Sequence, residues 1–326
     1  MKAMSSVIGG VGLAALLLTA ALMQPARTQP ASGGAWSTKS PMAAQHNEIP
    51  GVTVGGKIYT ISGSNRTDYD LKGVEEYDPA TDRWRARASI PSGVNHGTAA
   101  VVNGKVYVFG GFSKRQHGDP ITAVQEYDPA ADSWRKVGDL KVALGSISAV
   151  ALDGKIHLIG GRGAKLNSTV ANHDIYDPAT NTWTAAAPLS GVRDHIMMVV
   201  ADGKIHAIGG RTAESGDFVN THEIYDPKTN AWASGPALPT PRSNGTGVLY
   251  KGMIVVMGGE GGPTGVFVEN EGFDLKTGQW STLAPLPAGL HGMASAVVGD
   301  TAYVIGGSLG NGSGSATEQL LAFRLP

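Results

Sequence analysis

The sequence predicts an all-β fold of six antiparallel four-stranded sheets packed around one axis, and three observations carry that prediction. The six tryptophans, Trp36, Trp84, Trp134, Trp183, Trp232 and Trp280, follow one another at intervals of 48, 50, 49, 49 and 48 residues. Glycine pairs ending at Gly63 (there Ser62-Gly63), Gly111, Gly161, Gly210, Gly259 and Gly307 keep the same intervals. A Tyr-Asp-Pro triplet begins at Tyr77, Tyr127, Tyr176 and Tyr225, with Phe273-Asp274-Leu275 as a weaker fifth copy. Independent markers on one period mean a repeated unit that cannot bury its own faces and so stacks on its copies.

Each period resolves into four strands. In the second period an apolar strand over Thr98–Val102 meets Asn103-Gly104, a two-residue hairpin signal, and a second strand over Lys105–Phe109 stops at the glycine pair. After a loop of variable length, a third strand over Ala123–Tyr127 runs into Asp-Pro. Proline there pre-sets φ and aspartate caps the turn into a fourth strand, which carries the tryptophan. The large Tyr and Trp rings are expected to fill the gaps between neighbouring sheets.

A glycine pair, then Tyr, then Trp, at a period near 50, resembles the kelch repeat of β-propellers over residues 36–326. The resemblance implies a six-bladed kelch β-propeller. Trp36 precedes the first glycine pair and the last period stops at a third strand over Gln319–Leu325, so the strand around Trp36 is expected to complete the last blade. Closing the ring in this way removes most exposed sheet edges. Residues 31–326 are read as a single domain.

Composition agrees with a body of repeated neutral strands. Glycine supplies 46 of 326 residues, and only 16 % are charged against an ordinary quarter. A net charge of −1 gives no support to nucleic-acid binding. The absence of cysteine excludes disulfides, thiolate metal sites, iron–sulfur clusters and cysteine nucleophiles. It also removes the Cys–Tyr crosslink on which the copper-radical kelch enzyme galactose oxidase depends. At the N-terminus, Lys2, an apolar stretch from Val7 to Met23 and a polar Gln- and Pro-containing run follow the order of a signal peptide, with cleavage after Ala21 or Ala26. Residues 1–30 are therefore expected to be a signal peptide and short linker, and the mature protein periplasmic or secreted, with no membrane attachment after signal removal; the alternative is an uncleaved anchor, since the apolar stretch reaches the lower limit for a span.

Function is sought where the repeat stops repeating. About fifteen positions ahead of the second glycine, at the start of the first strand, the blades are read to carry Glu48, His96, Ser146, Asp194, Ser243 and His291. The position before carries Asn47, Asn95, Gly145, Arg193, Arg242 and Leu290, and the one after includes His195 and Asn244. Just past the glycine pairs stand Ser64, Phe112, Arg162, Arg211, Glu260 and Ser308. Antiparallel pairing brings both sets to one mouth of the channel.

Arg162, Arg193, Arg211 and Arg242 should then gather on one side of that mouth, where guanidinium groups suit a carboxylate or phosphate. The alternative is that each pairs with an acid such as Asp194, Glu260 or Asp217 and staples blades together. Glu260, Asp194 and His195 lie where a proton could be transferred. A carboxylate buried beside arginines is expected to have a depressed pKa, as suits a general base. His46, Glu48, His96 and His291 could hold a metal, but the start of a strand imposes no ligand spacing, so no metal or other cofactor is expected. His157 and His206 replace a second-strand Tyr and are read as packing residues.

Size, leader, blade count and an arginine-lined site with an acidic residue also resemble the exported bacterial kelch proteins that open sialic acid rings, the N-acetylneuraminate epimerases or mutarotases. That resemblance implies a cofactor-independent isomerase acting on a small acidic carbohydrate; it supports the class and assigns no residues, and the binding residues read from their positions at the mouth are Arg162, Arg193, Arg211, Arg242, Asn244, Glu48, His96 and His291. The other reading is a non-catalytic scaffold for a carbohydrate or a protein loop, for which Phe112, Phe218 and Phe267 are the aromatic candidates.

Overall fold

The structure, a computed structural model, describes residues 33–165, 168–212, 217–261 and 265–326. The leader read in residues 1–30 lies outside them. Six antiparallel four-stranded sheets are present. The first blade comprises Gly51–Val54, Lys57–Ile61, Val74–Asp78 and Arg83–Ala86, and the next four repeat this order up to Gln279–Thr282. In the sixth, Ala294–Val298, Thr301–Ile305 and Leu320–Arg324 are joined by Ala35–Lys39, with Trp36 opposite Phe323. The ring is thus closed by strands from two distant parts of the chain. First strands of consecutive blades touch one another, the sixth touching the first, so they line the central channel. Among the described residues the one helical element is the 3-10 turn Ser313–Ser315, and no helix is long and apolar enough to cross a membrane.

The hairpins form as the sequence implies. A type I′ turn needs φ above zero at both central residues, and Asn103 and Gly104 have φ of 50° and 73°. The glycine pairs have a different cause. A Cβ on Gly110 would lie 2.3 Å from the Leu144 carbonyl oxygen of the next blade, and one on Gly111 would lie 2.8 Å from Val94 Cβ. At these two positions the missing side chain lets the lead-ins to two successive first strands press this closely on the end of a second strand, whereas in blade 1 Ser62, at φ 61°, takes the first place and donates to the Leu71 and Val94 carbonyls.

Tyr and Trp join each blade to its neighbour. Tyr77 and Tyr127 are fully buried, and their hydroxyls donate to Asp82 at 2.7 Å and Asp132 at 2.6 Å. Asp132 also accepts from the Ala88 amide of the preceding blade, while Trp134 Nε1 donates to the Ala88 carbonyl at 2.8 Å. Trp36, Trp84, Trp232 and Trp280 repeat this indole bond on Ala284, Ser40, Ala187 and Pro236. Burying one such ring is worth roughly 1.5–3 kcal/mol, and here its polar tip also finds a partner.

Candidate functional site: the ring at the channel mouth

Six backbone hydrogen bonds run head to tail around the channel. The amide of Glu48 donates to the carbonyl of Gly292, His96 to Glu48, Ser146 to His96, His195 to Ser146, Asn244 to His195, and Gly292 to Asn244, at 2.7–3.2 Å. All six residues have positive φ, from 50° to 64°. The left-handed conformation turns each amide towards the preceding blade, and the circle closes with none left over.

This circle corrects the register expected from sequence. The ring positions of blades 4 to 6 are His195, Asn244 and Gly292, whereas Asp194, Ser243 and His291 stand one step earlier. There, with Asn47, Asn95 and Gly145, they bridge to Arg211, Glu260, Ser308, Ser64, Phe112 and Arg162, the first residues past the glycine pairs. Nothing in residue type marks the turn, since Glu, His, Ser, Asn and Gly all occupy it.

Two steps before the ring stand His46, Arg193 and Arg242, in blades 1, 4 and 5. Arg193 and Arg242 are 4 % and 0 % exposed and do not reach the mouth. Arg193 pairs with Glu223 on the third strand and donates to the Gly209 carbonyl at 2.8 Å. Arg242 pairs with Glu271 and donates to Gly258 and Thr240 carbonyls at 2.8 and 3.0 Å. His46 repeats the clamp, with Nδ1 2.8 Å from the Ser62 carbonyl and Nε2 3.9 Å from Glu75. The four guanidinium groups expected at the mouth therefore divide into two clamps and two mouth residues, Arg162 and Arg211.

Arg211 is held by two acids: its Nε donates to Asp194 Oδ1 at 3.2 Å and its terminal nitrogen to Glu260 Oε1 at 2.5 Å. Ser243 also donates to Glu260, at 3.3 Å. Arg162 forms no ion pair with a described residue, and its buried Nε has no hydrogen-bond partner among them. Burial pulls its guanidinium below the ordinary value, with Arg211 adding to the pull and Asp194 opposing it. A Cβ on Gly261, the residue after Glu260, would lie 3.0 Å from ring carbons of both Phe218 and Phe267, so two partly exposed phenyl rings pack on that glycine. Phe112, in contrast, is fully buried against Gly145.

Inside the ring the polar side chains meet. Glu48 lies 3.2 Å from His96 Nε2 and 3.6 Å from His291 Nε2, and accepts from Asn244 at 2.8 Å. Burial, reinforced by Glu260, pushes the Glu48 carboxyl up to about 8. Asp194 is fully buried, receives Arg211 and Thr169, and faces His195 Nδ1. Burial raises the Asp194 pKa, with Arg211 and Arg162 acting against the rise. The expected depression is thus reversed, because loss of water outweighs the two cations. Burial holds His96 and His195 well below the ordinary histidine value and His117 at about 4. A cavity of about 250 Å³ opens from Glu48, His96, Ser146, His195 and Asn244 along the first strands.

His117 was not identified from sequence. It comes from the loop between second and third strands of blade 2, at a position where no other blade carries histidine, so the period gave no reason to look there.

The Kelch motif model matches residues 50–91 and 95–141, and the KLHDC2/KLHL20/DRC7 Kelch-repeats domain model matches residues 148–307. The chain carries kelch repeats. The solved structure of YjhT aligns with this kelch propeller at a TM-score of 0.77 and 17 % identity, over 86 % of this chain and 95 % of that one. Kelch-like protein terF of Aspergillus terreus is 37 % identical over 86 residues, which are 24 % of this chain and 19 % of that protein. Kelch-like protein 33 of Homo sapiens is 30 % identical over 76 residues, 23 % of this chain and 14 % of that protein. The matched stretches span less than a fifth of these curated relatives.

Proposed function

We propose that this kelch propeller binds a small acidic carbohydrate at the ring mouth, and that it equilibrates the anomers of that sugar. The observation that carries the reading is Arg162, a half-buried guanidinium without an ion-pair partner among the described residues, beside Arg211. Burial of a cation is costly unless it is paired, and a ligand carboxylate supplies the missing partner through two hydrogen bonds. Phe218 and Phe267 offer apolar faces for a sugar ring next to Glu260. Likeness to exported kelch mutarotases supports the choice of sugar class, and the apolar stretch after Lys2 supports export.

Anomer exchange needs a proton taken from the anomeric hydroxyl and one returned to the ring oxygen, which breaks the ring C–O bond and leaves an open-chain carbonyl. Closure on the other carbonyl face reverses both transfers. Glu260 is the acid–base group of this reading, because it is partly exposed at the mouth and oriented by Arg211 and Ser243. Asp194 is committed to Arg211 and His195 and acts as their positioning residue; His195 lies deeper, hydrogen-bonded to Ser146 Oγ at 3.2 Å. Glu48, Asn244, His96 and His291 form the floor beneath.

Exchange-rate NMR on N-acetylneuraminate tests the reading. The protein should accelerate anomer exchange, and Glu260→Gln should abolish the acceleration while sugar binding persists. An exchange rate equal to the uncatalysed one defeats the isomerase reading; binding that survives in that case leaves the carbohydrate-binding scaffold. Loss of neither binding nor rate in Arg162→Ala overturns the assigned site.

A further inference from the structure

Three histidines from three parts of the chain converge at the ring: His96 at blade 2, His195 at blade 4, and His117 from the blade 2 loop. Each offers a ring nitrogen, and the three nitrogens lie within 4.8 Å of one another. The ring centroids of His96 and His117 are 4.5 Å apart, and those of His96 and His195 are 5.1 Å apart.

Hydrogen bonding fixes the tautomer of two rings. The Asn95 amide nitrogen donates to the carbonyls of Tyr69, Phe112 and Arg115, at 2.6, 3.1 and 3.3 Å. Its oxygen is therefore the atom 2.6 Å from His96 Nδ1, and a carbonyl oxygen accepts, so the His96 proton sits on Nδ1. Asp194 accepts likewise from His195 Nδ1. Both Nε2 atoms are left with lone pairs, that of His195 accepting from Ser146 Oγ at 3.2 Å, a bond the metal would replace. An imidazole whose far nitrogen is held by a carboxylate or carbonyl oxygen is the arrangement that orients histidine towards a metal. The buried Nε2 atoms of His96 and His117 have no hydrogen-bond partner among the described residues, although Glu48 lies 3.2 Å from that of His96.

The structure assigns His96, His117 and His195 as the ligands of a divalent late transition metal of the zinc class, a site separate from the guanidinium pair at the mouth. Three imidazoles suit zinc, copper or nickel and not the oxygen-seeking calcium or magnesium. Metal–nitrogen bonds of about 2.0–2.1 Å require the three nitrogens to draw in slightly from their present spacing, within reach of side-chain rotation. Arg162 and Arg211 oppose a cation here, while Asp194 offsets them, as does Glu48 once a bound cation displaces its proton. A fourth coordination position remains for water or for the Glu48 carboxylate.

The test is titration of tag-free, EDTA-treated protein with Zn²⁺ by calorimetry, and with Co²⁺ by visible absorption. One equivalent should bind, the Co²⁺ complex should show the ligand-field bands of a low-coordinate nitrogen site, and Zn²⁺ should raise the melting temperature. His117→Ala, on a loop, should weaken Zn²⁺ binding at least tenfold and abolish the thermal shift, whereas His157→Gln in the blade 3 core should leave stoichiometry unchanged. No binding by the wild type, or equal binding by His117→Ala, overturns the site. Because no sugar is involved, this result stands or falls apart from the carbohydrate reading: Arg162→Ala should lose the sugar and keep the metal.

Discussion

Arg193 and Arg242 differ from Arg162 and Arg211 in surroundings more than in sequence setting, and the contrast separates stability from recognition. The first pair lies under the glycine pairs, each fully enclosed with a third-strand glutamate and a ring of carbonyls. The second pair stands past the glycine pairs, where Arg211 shares two acids and Arg162 has no ion-pair partner among the described residues. A guanidinium enclosed with its counter-ion is neutralised within the fold; one left without it at a mouth is not.

The largest effect expected from this contrast is on folding. Arg242→Ala leaves Glu271 buried without its cation, which costs about 3–5 kcal/mol, and the melting temperature should fall by roughly 2–4 °C for each of these. In blade 6 the corresponding positions are Leu290 and Leu321, both apolar and buried. Arg242→Leu combined with Glu271→Leu copies that blade and should recover most of the loss in a thermal melt. If the double variant is as unstable as the single one, the clamp has a role beyond neutralising its own charges.

Next comes recognition. Arg162→Ala should leave the melting temperature within about 1 °C of wild type and weaken binding of an acidic sugar by at least tenfold, about 1.4 kcal/mol. Calorimetric titration with N-acetylneuraminate reads the affinity. A fall in stability equal to that of Arg242→Ala would place Arg162 with the clamps.

Acid sensitivity should come from a third buried polar set, in blades 3 and 4. His157 Nδ1 lies 2.8 Å from His173 Nε2, and His206 Nδ1 stands at the same distance from His222 Nε2. His173 and His222 face the carbonyls of Ala187 and Pro236, which must accept, so each ring is a neutral link in a donor chain. Burial holds His157, His173 and His206 at about 4, below the ordinary value of 6.5. The unfolded chain therefore binds protons first as pH falls, and stability is present above about pH 6.5 and lost down to about 4. In blade 5 these positions are Val255 and Asn270, and Asn270 donates to the Ala284 carbonyl at 3.0 Å. His206→Val with His222→Asn should flatten the acid limb of stability measured by urea unfolding between pH 7.5 and 5. An unchanged limb would trace it to the ring histidines.

The period made the fold legible because the markers answer needs that recur from blade to blade: a ring to fill the gap, a glycine where two lead-ins press together, and in blades 1 to 4 an Asp-Pro turn. The ring closure could be read from Trp36 for the same reason. The mouth was legible only in part. Arg211, Glu260, Asp194 and His195 stood out as polar interruptions in apolar strands, and they do lie together. Their register did not follow, because a left-handed turn held by backbone bonds places no demand on side-chain type. Arg193 and Arg242 were drawn to the mouth by the same slip of one position, which hid their correspondence with His46. His117 stands at a loop position that no other blade fills with histidine.

Gly292 gives the smallest expected effect and the most direct test of that ring. It is the one ring position without a side chain, at φ 64°, and a Cβ there would lie 2.7 Å from Glu48 Oε1 and 3.1 Å from the Glu48 amide nitrogen. The backbone conformation alone does not demand glycine, since Glu48, His96, Ser146, His195 and Asn244 sit in the same turn around the circle. What the missing side chain provides is room for the Glu48 carboxyl between Asn244 and His291. Gly292→Ala should therefore cost about 1–2 kcal/mol for the left-handed alanine, and should also displace Glu48. Gly292→Ala in a Glu48→Ala background separates the two: if the second change relieves part of the cost, the crowding is real, and if the costs simply add, the loss belongs to the backbone alone.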